Sequence, residues 1–418
     1  MPDVKNSNIL AAVHYNDKHY LKNIINGCTV EFNDLYYRDF IGKKDYVINE
    51  LDGVDFFTVR RIDSIDLMIM LSSSCNLNCT YCFEKDKRDL QIQNNTLLFI
   101  SNFLKNSISS STESVNITYT GGEPLLAATK MFYLTDRIKE ICKEVGIPVN
   151  FSIITNGTLV DDTILTFLDA NNFSTQITLD GKKELHNRIR HFDDHTGTFD
   201  VIIKHLYKIH SDYKNIHLTI RINISSPNFD EYASLIEFLF KNFPLFDVYI
   251  DFLDVSKSSK FYMNDDQKLE FYLKFLLVLK RNARMHIRNY YEGGNCMIRN
   301  RTSLTVDSDG NIYKCYSLVG NKNYTCGSIQ DFINSSILAV PPITNKCKHE
   351  NCLFYQMCYG GCPYKKYVVD GSLECFCKLD YLKKMNAYIF VTDIIKDEDS
   401  AEIRRLADGV KYFQIDFH

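Results

Sequence analysis

Long apolar runs are missing from this chain of 418 residues. None approaches the roughly eighteen residues that a membrane-spanning helix requires, so no membrane partner is expected. No N-terminal stretch has the pattern of a secretory signal peptide, and the expected location is cytoplasmic. A strong charge imbalance is missing too. The formal net charge is −4, which offers no basic field to nucleic acid. Internal repeats and low-complexity segments are absent. The length leaves room for more than one globular domain with a sizeable core. Tryptophan is absent altogether, and that absence says little about function.

Cysteine is plentiful instead. There are 14, and in a chain without an export signal they suggest metal more than disulfides. They cluster, with three at 75–82 and nine between Cys296 and Cys377. Only Cys28 and Cys142 stand apart, and both read as ordinary apolar positions.

Cys75, Cys79 and Cys82 are spaced C-x3-C-x2-C, with Tyr81 directly before the third. Three thiolates on one short loop can hold three irons of a 4Fe–4S cube and leave the fourth open to an outside ligand. A zinc knuckle would want a fourth ligand close by, and neither a histidine nor another cysteine lies near. Three buried free cysteines are the bland alternative.

From residue 65 to about 282, short β-branched runs alternate with helix-like stretches. The strands read as 65–71, 115–120, 149–155, 175–180, 216–223 and 248–253, and the helices as 96–107, 127–145, 161–170, 199–209, 229–241 and 265–281. Six such units argue for an α/β fold, a parallel sheet wrapped by helices. Chemistry in such folds sits beyond the C-terminal strand ends, and the three-cysteine loop follows the first strand directly. Residues 1–60 form a separate segment with a helix read around 18–25. In 291–380 strands shorten and turns crowd, with Asp307-Ser308-Asp309-Gly310 reading as a hairpin turn. Residues 381–418 read as a helix or two.

The other strand ends carry polar loops. After the second strand comes Gly121-Gly122-Glu123-Pro124. Its glycines allow close backbone approach, and Glu123 is an acceptor suited to an ammonium. A plain strand-to-helix turn with Pro at the first helical position is the alternative. Thr155-Asn156-Gly157-Thr158 follows the third strand, and Thr178-Leu179-Asp180-Gly181 the fourth, with His186, Arg188 and Arg190 beyond.

These motifs together resemble the radical S-adenosylmethionine (SAM) enzymes. The resemblance implies a partial (β/α)6 TIM-like barrel over about 61–290. It implies a cluster on Cys75, Cys79 and Cys82 whose open iron is chelated by SAM, and a 5′-deoxyadenosyl radical that abstracts a substrate hydrogen. Carried over residue by residue, Tyr81 would meet the adenine with its backbone. Gly122 and Glu123 would hold the methionyl amino group. Thr178 and Arg190 would lie near the carboxylate and ribose, with Asn156 beside them.

The later cysteines are similar to the SPASM domain, a small cysteine-rich module of short β-hairpins and helices with two auxiliary 4Fe–4S clusters. A zinc ribbon is the alternative. The resemblance gives one auxiliary cluster Cys296, Cys315 and Cys362. It gives the other Cys347, Cys352, Cys358 and a last cysteine, best Cys377, with Cys375 as the substitute. Two features depart from the pattern. The pair Cys347 and Cys352 is spaced C-x4-C where C-x2-C is usual. No further cysteine sits beside Cys296, so either Cys326 completes the first auxiliary cluster or one of its irons is open.

SPASM-bearing relatives imply a peptide or protein substrate. The leading expectation is a maturase that cross-links a ribosomally made precursor peptide through a thioether or carbon–carbon bond, served by a flavodoxin- or ferredoxin-like electron donor. The alternative is formylglycine formation of the anaerobic sulfatase-maturase kind. Those enzymes carry an Asp after the second SPASM cysteine, whereas this chain has Tyr316. An iron–sulfur carrier or scaffold would account for the cysteines, but not for the Gly-Gly-Glu-Pro and Leu-Asp-Gly loops. Residues 1–60 could be a reduced peptide-recognition module, which would bind by adding a strand to a sheet edge, or a cap on the barrel.

Overall fold

The computed structural model describes residues 7–16, 18–23, 29–32, 64–82, 84, 89–283, 296–298, 300, 302–331, 347, 352, 354, 358, 360–373, 376–395 and 399–416. The readings at Cys28 and Cys375 lie outside these residues.

The first strands are β1 (Ser7–Tyr15), β2 (Lys18–Asn23) and β3 (Thr29–Phe32). Strands and helices then alternate: β4 (Ser64–Ser72), α1 (Asn94–Ser107), β5 (Ser114–Gly121), α2 (Ala128–Val145), β6 (Val149–Thr155), α3 (Asp162–Ala170), β7 (Ser174–Thr178), α4 (Lys183–Ile189), α5 (Phe199–Asp212), β8 (His217–Ile224), α6 (Asp230–Asn242), β9 (Asp247–Phe252) and α7 (Asp265–Arg281). Three short strands follow, β10 (Ser303–Val306), β11 (Asn311–Tyr313) and β12 (Thr325–Ser328). After them come α8 (Pro363–Asp370), α9 (Leu379–Ile394), α10 (Ser400–Asp408) and β13 (Lys411–Asp416).

The chain divides into two units, each discontinuous in sequence: 62–254 with 296–344, and 1–61 with 255–295 and 345–418. In the first unit, β4 to β9 are parallel neighbours in chain order. This is the partial (β/α)6 barrel sheet. Ile69, Ile117, Tyr119, Ile153, Ile177, Ile220 and Ile222 are fully buried in it. Along β5 and β8 these buried apolar positions alternate with half-buried ones, the period of a strand. The helices are delimited by local chemistry. Asp161 caps α3 by accepting from the Ile164 amide at 2.8 Å, and α2 stops at Gly146, whose φ of +75° is left-handed.

The sheet continues past β4 with parallel β10, then antiparallel β11 and β12. Asp307–Gly310 makes the β10–β11 turn. The Asp307 carboxylate accepts from the amides of Asp309 (2.9 Å) and Asn311 (2.8 Å). Gly310 takes a φ of +89°.

The second unit holds a sheet in the order β13-β1-β2-β3. Helix α9 packs on α7, α10 and β1. Arg404 of α10 forks onto Glu270 of α7 at 2.7 and 2.8 Å, and Lys22 of β2 pairs with Asp393 of α9. Two readings are corrected here. The segment read as a helix around 18–25 is β2 where described, folded back on β1 with Tyr15 opposite Lys18. The tail read as helical ends in β13, which pairs with β1. Strand formation depends on partners, and these partners lie beyond any local window. Among the described residues no helix is long and apolar enough to cross a membrane.

Candidate active site

The three-cysteine loop leaves β4 and is pinned by backbone bonds. Asn78 N–H donates to His191 O (2.8 Å), Thr80 N–H to Ile189 O (2.9 Å) and Cys82 N–H to Cys79 O (3.1 Å). Leu77, at its centre, is fully buried. The Asn156 side-chain amide donates to Asn76 Oδ1 at 2.8 Å and lies 3.9 Å from the Cys75 sulfur. Asn76 in turn donates to Thr158 Oγ1 at 2.8 Å. The Thr-Asn-Gly-Thr loop is therefore the brace of the cysteine loop.

The glycine pair meets the same loop through backbone. Gly122 N–H donates to Ser72 O and Glu123 N–H to Ser74 O, both at 2.9 Å. A Cβ on Gly121 would stand 2.2 Å from Ser72 O, and one on Gly122 would stand 2.4 Å from Ser74 O. Only glycine permits this approach. Glu123 is fully buried. Its carboxylate accepts from Leu125 N (3.0 Å), Thr155 Oγ1 (2.7 Å) and Asn156 N (2.8 Å). A carboxylate has about four acceptor sites, which leaves one for an outside donor. Burial raises its proton affinity above the ordinary carboxylate value, and the three donors oppose that.

A second network joins the loop to β7 and β8. The Tyr81 hydroxyl donates to Asp180 Oδ2. It accepts from Arg190 Nη1 at 2.7 Å and from Asn223 Nδ2 at 3.0 Å. Asp180, fully buried, also accepts from Asn223 N at 2.8 Å. Arg190 Nε is buried and has no hydrogen-bond partner. Thr178 is buried at the end of β7. His186 turns inward: its Nδ1 accepts from Asp180 N at 3.0 Å and its Nε2 meets Thr198 Oγ1 at 2.9 Å. Burial holds it well below the usual imidazole range, and it acts as a brace. Arg188 is exposed.

Sequence reasoning did not single out Asn76, Asn223 or Glu84 as site residues. Tyr316 donates to Glu84 Oε1 at 2.9 Å, and its hydroxyl also bonds Thr120. Glu84 lies two residues beyond Cys82. Position at a strand end could have found Asn223, but Glu84 and Tyr316 are over 230 residues apart and carry no joint signal.

The remaining cysteines divide between the units. Cys296, Cys315 and Cys326 belong to the barrel unit; Cys347, Cys352, Cys358, Cys362 and Cys377 belong to the other. Cys358 accepts from the Gly360 and Gly361 amides and faces the Cys347 and Cys377 thiols. Phe376 N–H donates to Gly360 O at 2.8 Å, which brings the residue before Cys377 against that turn. Cys362 directly precedes α8. Burial pulls the Lys314 ammonium down to about 8, while the Cys326 and Cys296 thiols push the other way. Among the described residues, no three His, Cys, Asp or Glu side chains converge for a single metal ion.

Residues 69–239 match the family model of the radical SAM superfamily. That stretch is a radical SAM domain. The chain is 28% identical over 359 residues to a cysteine-type anaerobic sulfatase-maturating enzyme of Clostridium perfringens, covering 73% of this chain and 91% of that one. It is 26% identical over 223 residues to a radical SAM cyclopropyl synthase of Paramaledivibacter caminithermalis, covering 45% of each. Its fold is similar to anSMEcpe with bound AdoMet, with a TM-score of 0.63 at 20% identity over 82% of this chain and 99% of that one. It is also similar to Streptococcus suis SuiB bound to precursor peptide SuiA, with a TM-score of 0.52 at 16% identity over 89% and 98%.

Radical SAM proteins bind SAM and a 4Fe–4S cluster, and the residues here fit both. Three thiols share one braced loop. The orphaned Arg190 Nε–H calls for an acceptor, which a ligand carboxylate or hydroxyl supplies. Glu123 keeps room for one more donor.

Proposed function

We propose that this radical SAM enzyme matures a peptide, cross-linking a ribosomally made precursor. Cluster and cofactor, when bound, supply a one-electron route to a carbon radical able to abstract hydrogen. The chain's own residues position the parts. Cys75, Cys79 and Cys82 hold the cluster, and Gly122 and Glu123 receive the methionyl amino group. Arg190, Thr178 and Asn156 line the carboxylate and ribose side, and the Tyr81 backbone meets the adenine. Cys296, Cys315 and Cys362 hold one auxiliary cluster, and Cys347, Cys352, Cys358 and Cys377 the other. A low-potential donor of the flavodoxin or ferredoxin type reduces them.

The observation that carries the choice of chemistry is Tyr316. It follows Cys315 and donates to Glu84 at 2.9 Å, where the sulfatase-maturase pattern has an Asp. Formylglycine formation remains the second reading, favoured by the 28% identity over 91% of the sulfatase-maturating relative. Mass spectrometry of a co-expressed precursor peptide separates the two. The first reading predicts loss of a pair of hydrogens per link. Replacement of a cysteine sulfur by a carbonyl oxygen would favour the second.

A further inference from the structure

Strands β7, β8 and β9 carry a second polar set on one face, all of it within the barrel unit. Ile177, Ile220, Ile222 and Ile250 are buried on the other face. Side chains alternate along a strand, so Gln176, Arg221, Tyr249 and Asp251 share the face of Thr178 and Asn223. The register agrees: Arg221 stands between Thr178 and Tyr249, and Asn223 stands opposite Asp251. Arg221 comes two residues before Asn223, about 6–7 Å deeper along β8.

These groups are joined. Arg221 Nε donates to Asn223 Oδ1 at 2.8 Å, and its Nη2 donates to Asp251 Oδ2 at 2.7 Å. The Tyr249 hydroxyl donates to Gln176 Oε1 at 2.7 Å. Asn223 also donates to the Tyr81 hydroxyl, so the set is continuous with the three-cysteine loop. A purely structural ion pair leaves two features without a reason. The Arg221 and Asp251 side chains stay 33% and 28% exposed. Gln176 Nε2 is buried with no hydrogen-bond partner among the described residues. A donor left in that state calls for an explanation, and an acceptor brought by an occupant supplies one.

Charge selects the occupant. Asp251 already offsets Arg221, so the pair carries no net charge and does not call for an anion. Gln176 brings an N–H donor. Arg221 engages Asp251 Oδ2, which leaves Oδ1 to accept. A group with a carbonyl and an N–H side by side complements both, and that group is an amide. We propose that Gln176 and Asp251, held by Tyr249 and Arg221, form a substrate subsite that grips an amide of the peptide. The amide comes from the main chain or from an Asn or Gln side chain. Gripping it sets which residue of the peptide stands at the strand ends. The proposal rests on the peptide-maturase reading above.

The test pans an mRNA-displayed library of random peptides on the full chain, reconstituted anaerobically with iron, sulfide and SAM. The library is first cleared on the Arg221→Met, Asp251→Leu double variant. Both charges go together, because one alone would be left unpaired. Peptides should survive clearing and bind the wild-type chain about tenfold more tightly than the double variant, the worth of one or two hydrogen bonds. In the tightest survivor, one change should erase that preference. An amide-to-ester replacement that does so identifies the main chain, and alanine in place of a single Asn or Gln identifies a side chain. A preference that depends instead on an Asp or Glu of the peptide overturns the amide assignment. Binders without clearing but none after it overturn the subsite alone. No binders from the uncleared library overturn the peptide-maturase reading as well. Should the double variant not fold, Gln176→Leu, which keeps the ion pair, serves for clearing with the same outcomes.

Discussion

Tyr81 shows how one side chain can hold a reactive loop without touching the chemistry. Its hydroxyl gives one hydrogen bond and receives two, the full capacity of a phenol. Tyr81→Phe keeps the ring and removes all of these. Hydrogen bonds to charged groups contribute roughly 1.5–3 kcal/mol each, so a loss of about 2 kcal/mol is expected in chemical denaturation. An unchanged midpoint would contradict the brace assigned to it. Cys142 makes the opposite case. Burial pushes its thiol from 9.0 up to about 11, so at a pH of about 8 little of it is the nucleophilic thiolate. Iodoacetamide should leave Cys142 unmodified in the folded chain and label it after unfolding. Rapid labelling of the folded state would refute its structural role.

Elements meet at the site through backbone more than through side chains. The end of β5 lies against the loop after β4, and Gly122 sits where a methyl would stand 2.4 Å from Ser74 O and 3.1 Å from Cys75 Cβ. Gly122→Ala must displace the cysteine loop. It should cost about 1–3 kcal/mol in stability and lower the iron held by Cys75, Cys79 and Cys82. Full iron loading with wild-type stability would show that the loop has room. The six parallel strands were legible because short β-branched, mostly alternating runs recur between amphipathic helical stretches. The brace of the cysteine loop was half legible. Asn156 follows the end of β6 and Arg190 the end of α4, but the burial of Glu123 and the inward turn of His186 depend on which donors the fold brings to them. Strand β13 and helix α4 were not legible. One pairs with β1 from the far end of the chain, and the other has only seven residues, too few to display a period.

At the scale of the molecule, the cysteines follow the two units. The three-cysteine loop and Cys296, Cys315 and Cys326 belong to the unit built on the barrel sheet. Cys347, Cys352, Cys358, Cys362 and Cys377 belong to the unit whose sheet joins both ends of the chain. Cys75, Cys79 and Cys82 are shared with neither auxiliary set, so their iron can be lost without the rest, and this permits a direct test of the central claim. Protein reconstituted with iron and sulfide, reduced with dithionite and given SAM, is assayed for 5′-deoxyadenosine beside its iron content. The wild-type chain should produce 5′-deoxyadenosine. The Cys75→Ala, Cys79→Ala, Cys82→Ala variant should produce none while keeping the iron of the other clusters. Undiminished 5′-deoxyadenosine from that variant would contradict the assignment of the loop as the site of radical generation.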